Sequence, residues 1–266
     1  MKDYRIERLM IATDGSPASQ KAAKEGIKIA KAFGSKVYGI CVGEIPLWGM
    51  QLIEEMQKRA KEIVEELKTQ VESEGLECEV IPEVGDDIAD CIIREVNKHS
   101  INLVVVGKRI KRPFLGGVAI KVLTAAPCDV IVVPEEAEIS FERFVVAVDG
   151  SLYSEIAAEK AFVIAKNLSS KVTLVSVAEK SEDEPYVEEA LEITEQLAKK
   201  YELSVEKVKR KGDVPEEIVK VAEEENAGLI VMGSHGKSSE KYSIGDVIRK
   251  VFEITHIPLF VSKKPS

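Results

Sequence analysis

An ordered internal repeat is the feature that most constrains how this chain can fold. Asp14-Gly15-Ser16 recurs as Asp149-Gly150-Ser151, an offset of 135 residues. Further matches follow in the same order: 35–37 with 170–172 and Val42 with Val177 at that offset, Gly85-Asp86 with Gly212-Asp213 at 127, and 103–107 with 229–233 at 126. An ordered series of this kind predicts a duplication, with domains at residues 1–136 and 140–266.

Within each copy, short β-branched apolar runs alternate with amphipathic stretches. In the first copy, predicted strands at 9–13, 37–42, 78–81, 103–106 and 130–133 alternate with predicted helices at 18–33, 51–74 and 88–97 and one from about Val118. Continuous apolar strands separated by helices require a parallel sheet covered on both faces. The predicted fold class is α/β, with two doubly wound, Rossmann-like domains that each hold a five-stranded parallel sheet.

The last predicted strand of the first copy, 130–133, is short, apolar and at the edge of its sheet. Such an edge needs cover. We therefore expect the two copies to pack as a pseudo-twofold pair within the chain, with a homodimer as a further level of assembly.

Composition excludes several functional classes. The formal net charge of −9 makes the chain repel nucleic-acid phosphates and anionic membrane surfaces. The four cysteines contain no Cys-x-x-Cys pair and the three histidines do not cluster with them, so neither a disulfide framework nor a zinc site is predicted. No apolar signal core or membrane-length run occurs, and we expect a cytoplasmic protein.

A ligand site is predicted where the strand order reverses in the second copy. Asp149 ends its first strand and Gly233 ends its fourth, followed by the loop 232–247. If those strands are neighbours, Asp149 faces this loop. Gly233, Gly236 and Gly245 let the backbone approach a ligand closely, and the helix beginning near Gly245 offers N–H groups to a phosphate.

These residues resemble the universal stress protein family. Its nucleotide-binding members carry Gly-x2-Gly-x9-Gly followed by Ser or Thr after the fourth strand, and an Asp at the end of the first. The second copy reads Gly233-x2-Gly236-x8-Gly245-Asp246, one residue shorter and with Asp in place of the hydroxyl residue. Residues 145–151 and 232–237 are also similar to the family, and the resemblance covers nearly the whole chain in two copies.

The resemblance implies that the second copy binds an adenine nucleotide, ATP or AMP, with or without Mg2+ at the phosphates. The nucleoside would meet Asp149, Ala147 and Val148, with Val177 beside the adenine, Met232 and Gly233 under the ribose, and Gly236, Gly245, Asp246 and Val247 around the phosphates. The secondary candidates are the first-copy positions Asp14, Val42, Gly107, Gly117 and Val118.

Two residues of the second-copy loop have alternative interpretations. The carboxylate of Asp246 repels phosphate unless a metal bridges them, which favours a monophosphate or weak triphosphate binding. Alternatively, Asp246 caps the last helix. His235 is flanked by Ser234 and Gly236 and is interpreted either as a phosphate contact or as a solvated loop histidine.

The first-copy loop departs further from the family. Ile110 replaces the second glycine, and eight residues separate Gly107 from Gly116, against eleven between Gly233 and Gly245. Four basic residues crowd this loop: Lys108, Arg109, Lys111 and Arg112. They form either a rebuilt anion site or a solvated charge cluster. Asp14 either contacts a nucleoside or serves only the turn and the following helix cap.

The leading functional hypothesis is an adenine-nucleotide-binding regulatory protein of the stress response that acts on a protein partner. No catalytic residue or metal ligand is predicted, because no nucleophile–base pair or ligand cluster stands out. The alternatives are a ligand-free interaction scaffold and a slow ATPase that uses Asp246 and His235.

Overall fold

The computed structural model describes residues 4–45, 52–109, 117–236 and 245–263. The chain divides into two compact units, Arg5–Ala137 and Glu138–Ser266, with Tyr4 belonging to the second. Among the described residues, no helix has both the length and the apolar character needed to cross a membrane.

The first unit alternates strands and helices along its whole length. Its elements are β1 Arg8–Ala12, α1 Pro17–Phe33, β2 Lys36–Glu44, α2 Ile53–Ser73, β3 Cys78–Gly85, α3 Ile88–His99, β4 Leu103–Lys108, α4 Val118–Ala125 and β5 Asp129–Pro134. The strands are all parallel, in the order β3-β2-β1-β4-β5. The chain therefore reverses its direction of winding between β1 and β4.

The second unit repeats this plan. Its elements are β6 Arg143–Ala147, α5 Leu152–Leu168, β7 Lys171–Ala178, α6 Glu184–Lys200, β8 Val205–Lys211, α7 Val214–Glu224, β9 Leu229–Gly233, α8 Asp246–Ile254 and β10 Leu259–Ser262. The parallel order is β10-β9-β6-β7-β8. The predicted α/β fold class, with a doubly wound parallel sheet in each copy, is confirmed.

The apolar runs that predicted the strands form the cores. Leu9, Met10 and Ile11 of β1 are fully buried, as are Phe144 and Val145 of β6. Helices on both faces enclose these central strands, so alternation with polar residues is absent from their sequences. Burying each such side chain contributes about 1.5–3 kcal/mol.

The third strand is longer than predicted. The sequence predicts a strand only to Ile81, whereas β3 pairs with β2 as far as Gly85. Pro82 and Glu83 end the apolar run, but β3 has β2 as its partner on one side only and all its residues are half-buried. A strand with one partner tolerates a missing N–H and a charged side chain, so the apolar pattern underestimates its length.

The repeat alignment is wrong by one residue at the start of α3. Asp87 caps this helix, its carboxylate accepting from Ala89 N at 2.9 Å. Asp213 caps α7 in the same way, accepting from Glu216 N at 3.3 Å. The counterpart of Asp213 as a helix cap is therefore Asp87 and not Asp86, because the first unit has one more residue between the aligned glycine, Gly85 or Gly212, and the cap.

Candidate functional site

The predicted neighbours at the switch point of the second unit are paired strands. β6 pairs with β9 in parallel register, with Phe144 opposite Leu229 and Val146 opposite Val231. Their carboxyl ends therefore meet at one edge of the sheet. Asp149 lies two residues beyond β6, and the loop that begins with Ser234 follows β9.

A tight turn fixes the carboxylate of Asp149. Ser151 N donates to Asp149 Oδ1 at 2.9 Å, and Gly150 has the left-handed φ of 72° that this turn requires. Ser151 also caps α5, its hydroxyl accepting from Ser154 N at 3.2 Å. The Asp-Gly-Ser sequence thus builds a turn and a helix cap and at the same time holds a carboxylate at the edge of the sheet.

The glycine loop reaches this carboxylate at Gly236. A Cβ added to Gly236 would lie 2.9 Å from Asp149 Oδ2, closer than real Cβ contacts allow. The hydroxyl of Ser151 lies 3.5 Å from His235 O, which it faces as a donor. The main chain at His235 and Gly236 therefore packs directly against the Asp149 turn.

Packing within the fold requires a glycine at position 233, in addition to the predicted approach to a ligand. A Cβ there would lie 2.5 Å from the carbonyl of Tyr153 and 2.8 Å from Ser154 N. Its counterpart in the first unit, Gly107, is equally close to a helix, since a Cβ there would lie 2.4 Å from Ala18 O. Close packing of the first turn of a helix on the end of the fourth strand is enough to require glycine at both positions.

The predicted phosphate end of the site is the start of α8. Gly245 is the N-cap residue, with no side-chain cap, and the exposed Asp246 is the first helical residue. The alternative interpretation of Asp246 as the cap is therefore wrong. Gly245 N lies 3.5 Å from Ser234 O, which brings the two ends of the loop together. Val247 is half-buried behind them.

The predicted nucleoside residues divide into core and edge positions. The side chains of Val148 and Met232 are buried, with residue exposures of 4% and 5%, so they offer a ligand only their main chains. Ala147 and Val177 are half-buried. Val177 stands opposite Arg210 in the register of β7 and β8, one residue before β7 ends.

The ring of His235 turns toward α5. Its centroid lies 4.7 Å from that of Tyr153, and Nδ1 is 2.9 Å from the hydroxyl of Ser234. Burial lowers the pKa of His235, and the charge of Lys263 lowers it further. The imidazole is therefore neutral near pH 7.

In the first unit, the equivalent aspartate is engaged by an arginine. Ser16 N donates to Asp14 Oδ1 at 3.0 Å, and Arg109 Nη2 donates to Asp14 Oδ2 at 2.6 Å. Burial alone would raise the pKa of Asp14, but hydrogen bonds from Ser16 and Ser19 and the charge of Arg109 outweigh it and lower that pKa. Sequence reasoning missed this ion pair.

The other first-unit candidates lie around the same edge. Gly117 caps α4, and Val118 begins that helix half-buried. Gly117 rather than Gly116 is therefore the counterpart of Gly245, so the loop after β4 is two residues shorter than its counterpart, not three. Val42 is 8% exposed. Residues 110–116, including Ile110, Lys111, Arg112 and Gly116, lie outside the described residues.

Comparison with known proteins identifies the family. The profile of the universal stress protein family matches residues 5–134 and, a second time, residues 140–263. This chain belongs to the universal stress protein family. The two matches make it a tandem member with two family domains in one chain.

Single-domain relatives match about half of this tandem chain. A universal stress protein of Methanocaldococcus jannaschii is 33% identical over 140 residues, covering 48% of this chain and 81% of the relative. One of Bacillus subtilis is 26% identical over 147 residues, covering 48% and 99%. The crystal structure of a universal stress protein from Archaeoglobus fulgidus covers 98% of this chain and 99% of its own, with a TM-score of 0.83 at 24% identity. That structure supports the tandem fold.

Proposed function

We propose that this universal stress protein is a nucleotide-binding regulator of the stress response and that its second unit binds an adenine nucleotide between β6 and β9. The approach of Gly236 to Asp149 Oδ2 carries the proposal. It brings a carboxylate acceptor together with the main chain of a residue that has no side chain of its own, and nucleoside hydroxyls and phosphates need these two groups.

The nucleoside and the phosphates of the ligand contact different kinds of protein group. A ribose hydroxyl donates to the carboxylate of Asp149, and the adenine lies toward Ala147 and Val177. The phosphates face the main chain of Gly236 and the start of α8 at Gly245, where N–H groups and the helix dipole favour an anion.

Asp246 sets the preferred charge of the ligand. It is exposed in the first turn of α8, so each added phosphate brings more negative charge toward its carboxylate. AMP therefore binds with less repulsion than ATP. Mg2+ supplies positive charge between the carboxylate and a polyphosphate, which makes ATP binding depend on the metal.

Calorimetry on the full chain tests the proposal. Titration with AMP, and with ATP with and without Mg2+, should give saturable binding that is lost in Asp149→Ala. The matched control is Asp183→Ala, which removes another turn carboxylate of the second unit, one that accepts from Lys180 N at 3.0 Å. Wild-type protein that binds neither nucleotide at millimolar concentration would instead support a ligand-free scaffold.

A slow ATPase remains a separate proposal with its own test. It requires His235 and Asp246 to act on bound ATP. Equal hydrolysis rates in wild type and in a His235→Gln, Asp246→Asn double variant would exclude these two roles. The pairing of the two copies and any homodimer stay predictions from the sequence, which small-angle scattering of the purified chain checks.

A further inference from the structure

The two repeats hold their aspartates in the same local geometry. In each unit, Oδ1 accepts from the serine N–H two residues later, at 3.0 Å for Asp14 and 2.9 Å for Asp149. The main-chain N–H of each aspartate faces the hydroxyl of the serine five residues later, at 3.2 Å and 3.4 Å. The second carboxylate oxygen, Oδ2, therefore points to the same side of the turn in both units.

The two units differ in what meets this second oxygen. Asp149 Oδ2 faces the main chain of Gly236. Asp14 Oδ2 accepts a hydrogen bond from the guanidinium of Arg109 at 2.6 Å. Both contacts come from the loop after the fourth strand, so the first unit places a cationic side chain where the second places a glycine main chain.

The repeat offset explains where this arginine comes from. At the offset of 126 residues that aligns β4 with β9, Arg109 corresponds to His235. The ring of His235 turns to Tyr153 and Ser234. The side chain at the same position in the first unit turns instead onto the aspartate.

We propose that Arg109 acts as a built-in competitor of a ligand: it occupies Asp14 and weakens nucleoside binding by the first unit, so that each chain binds its first nucleotide in the second unit. This rests on the proposed function, because it takes Asp149 as the group that receives the nucleoside. A guanidinium is a charge-assisted donor to carboxylate, whereas a ribose hydroxyl is a neutral donor. The ligand must therefore displace the stronger partner.

The exposure of the ion pair limits the size of the effect. The side chains of Arg109 and Asp14 are 46% and 54% exposed. Ion pairs of this exposure contribute little, so removing the arginine should strengthen nucleoside binding by the first unit by about fivefold.

The test isolates the first unit with adenosine, which has no phosphate to be attracted by arginine. In a full-length Asp149→Ala background, NMR titration to millimolar adenosine follows residues of the first unit. Arg109→Ala should lower the dissociation constant about fivefold, and adding Asp14→Ala should reverse the gain. Lys31→Ala is the matched control, since its ion pair with Glu74 is also 2.6 Å long and half-exposed, and it should leave binding unchanged.

The other outcomes overturn the inference. Adenosine binding that is unchanged or weakened by Arg109→Ala shows that the arginine does not compete with a nucleoside for Asp14. A loss of AMP binding in the same variant, larger than any loss of adenosine binding, makes Arg109 an anion-binding residue. Equal affinities of the two units of the wild-type chain for adenosine would also contradict the proposal.

A second measurement separates this inference from the proposed function. The Asp14 carboxyl is titrated by NMR, and its pKa should rise in Arg109→Ala because a stabilising positive charge is removed. If it rises and adenosine binding by the first unit increases while the intact second unit binds no nucleotide, the proposed function alone fails. If the Asp14 pKa does not change, the ion pair is absent and the inference fails whatever the second unit binds.

Discussion

The carboxylate of Asp149 and the main chain of Gly236 lie so close that a Cβ on Gly236 would stand 2.9 Å from Oδ2. The two residues are 87 positions apart in the chain and meet because β6 and β9 are paired. A side chain at 236 must therefore displace either the carboxylate or the loop. Binding that depends on both groups is sensitive to this one position.

Gly236→Val should abolish most nucleotide binding. The new side chain displaces the Asp149 carboxylate, and hydrogen bonds to charged groups contribute about 1.5–3 kcal/mol, so the affinity for AMP should fall roughly tenfold to a hundredfold. Ile110→Val, at the counterpart position in the first copy, should leave calorimetric binding unchanged. Binding that survives Gly236→Val and disappears when Arg109 and Lys111 are changed to Ala would move the anion site to the first unit.

Asp246→Ser should strengthen binding of ATP more than that of AMP. The substitution removes a negative charge from the start of α8 and supplies a hydroxyl donor, so ATP affinity without Mg2+ should rise roughly tenfold. Calorimetry with both nucleotides measures the ratio. Equal changes for ATP and AMP would show that the outer phosphates do not lie near Asp246. Lys250→Ala, on the next turn of the same helix, controls for a general change in charge.

Gly233→Ala should destabilise the second unit without reference to any ligand. Its Cβ would lie 2.5 Å from the Tyr153 main chain, and overpacking of this kind costs about 1–3 kcal/mol. Gly107→Ala should cost the first unit a similar amount. Gly117→Ala is the comparison: its Cβ would meet nothing within 4 Å, so it should lose only the preference of a helix cap for glycine, about 1 kcal/mol or less. Urea unfolding measures all three, and equal midpoints would refute the packing explanation.

His235 should make the stability depend on pH. Its pKa is lowered in the folded protein, by burial and then by Lys263. Below the ordinary histidine value of about 6.5, the unfolded chain therefore binds more protons than the folded one. Stability falls as the pH drops from about 6.5 toward the folded-state pKa. Thermal unfolding of His235→Gln between pH 8 and 5 should show a shallower decline than wild type. Parallel curves would exclude this contribution.

The sequence predicts the sheet because the driving force is local in the chain. Fully apolar runs such as that of β6 identify buried strands wherever they occur. The apolar pattern underestimates β3 from Pro82 onward, because a half-buried edge strand need not be apolar. The spacing of the repeat also cannot decide which of the adjacent Asp86 and Asp87 caps α3. Residue type and periodicity do not show that β3 has only one partner strand. They also do not show that the turn before α3 is one residue longer than its counterpart in the second unit.

The sequence predicts which groups lie at this edge of the sheet but not the contacts that they make. The Asp-Gly-Ser turn and the glycine loop locate the edge of the sheet at which Asp149 lies. The close packing that requires Gly233, and the bond between Arg109 and Asp14, depend on side-chain directions that a single sequence does not fix. Aligning the two copies suggests the bond between Arg109 and Asp14. In that alignment Arg109 takes the position of His235, in a loop that we expect to lie next to the aspartate.

On the proposed function, the ion pair between Arg109 and Asp14 affects how nucleotide concentration becomes a signal. Two receptive units in one polypeptide can sharpen a response, because the first ligand bound can alter the affinity for the second. With Arg109 weakening the first unit, the second unit would fill first, and the response of a single chain would have a Hill coefficient of about one or below. The occupancy of such a chain would rise gradually with nucleotide concentration over a broad range and would show no threshold.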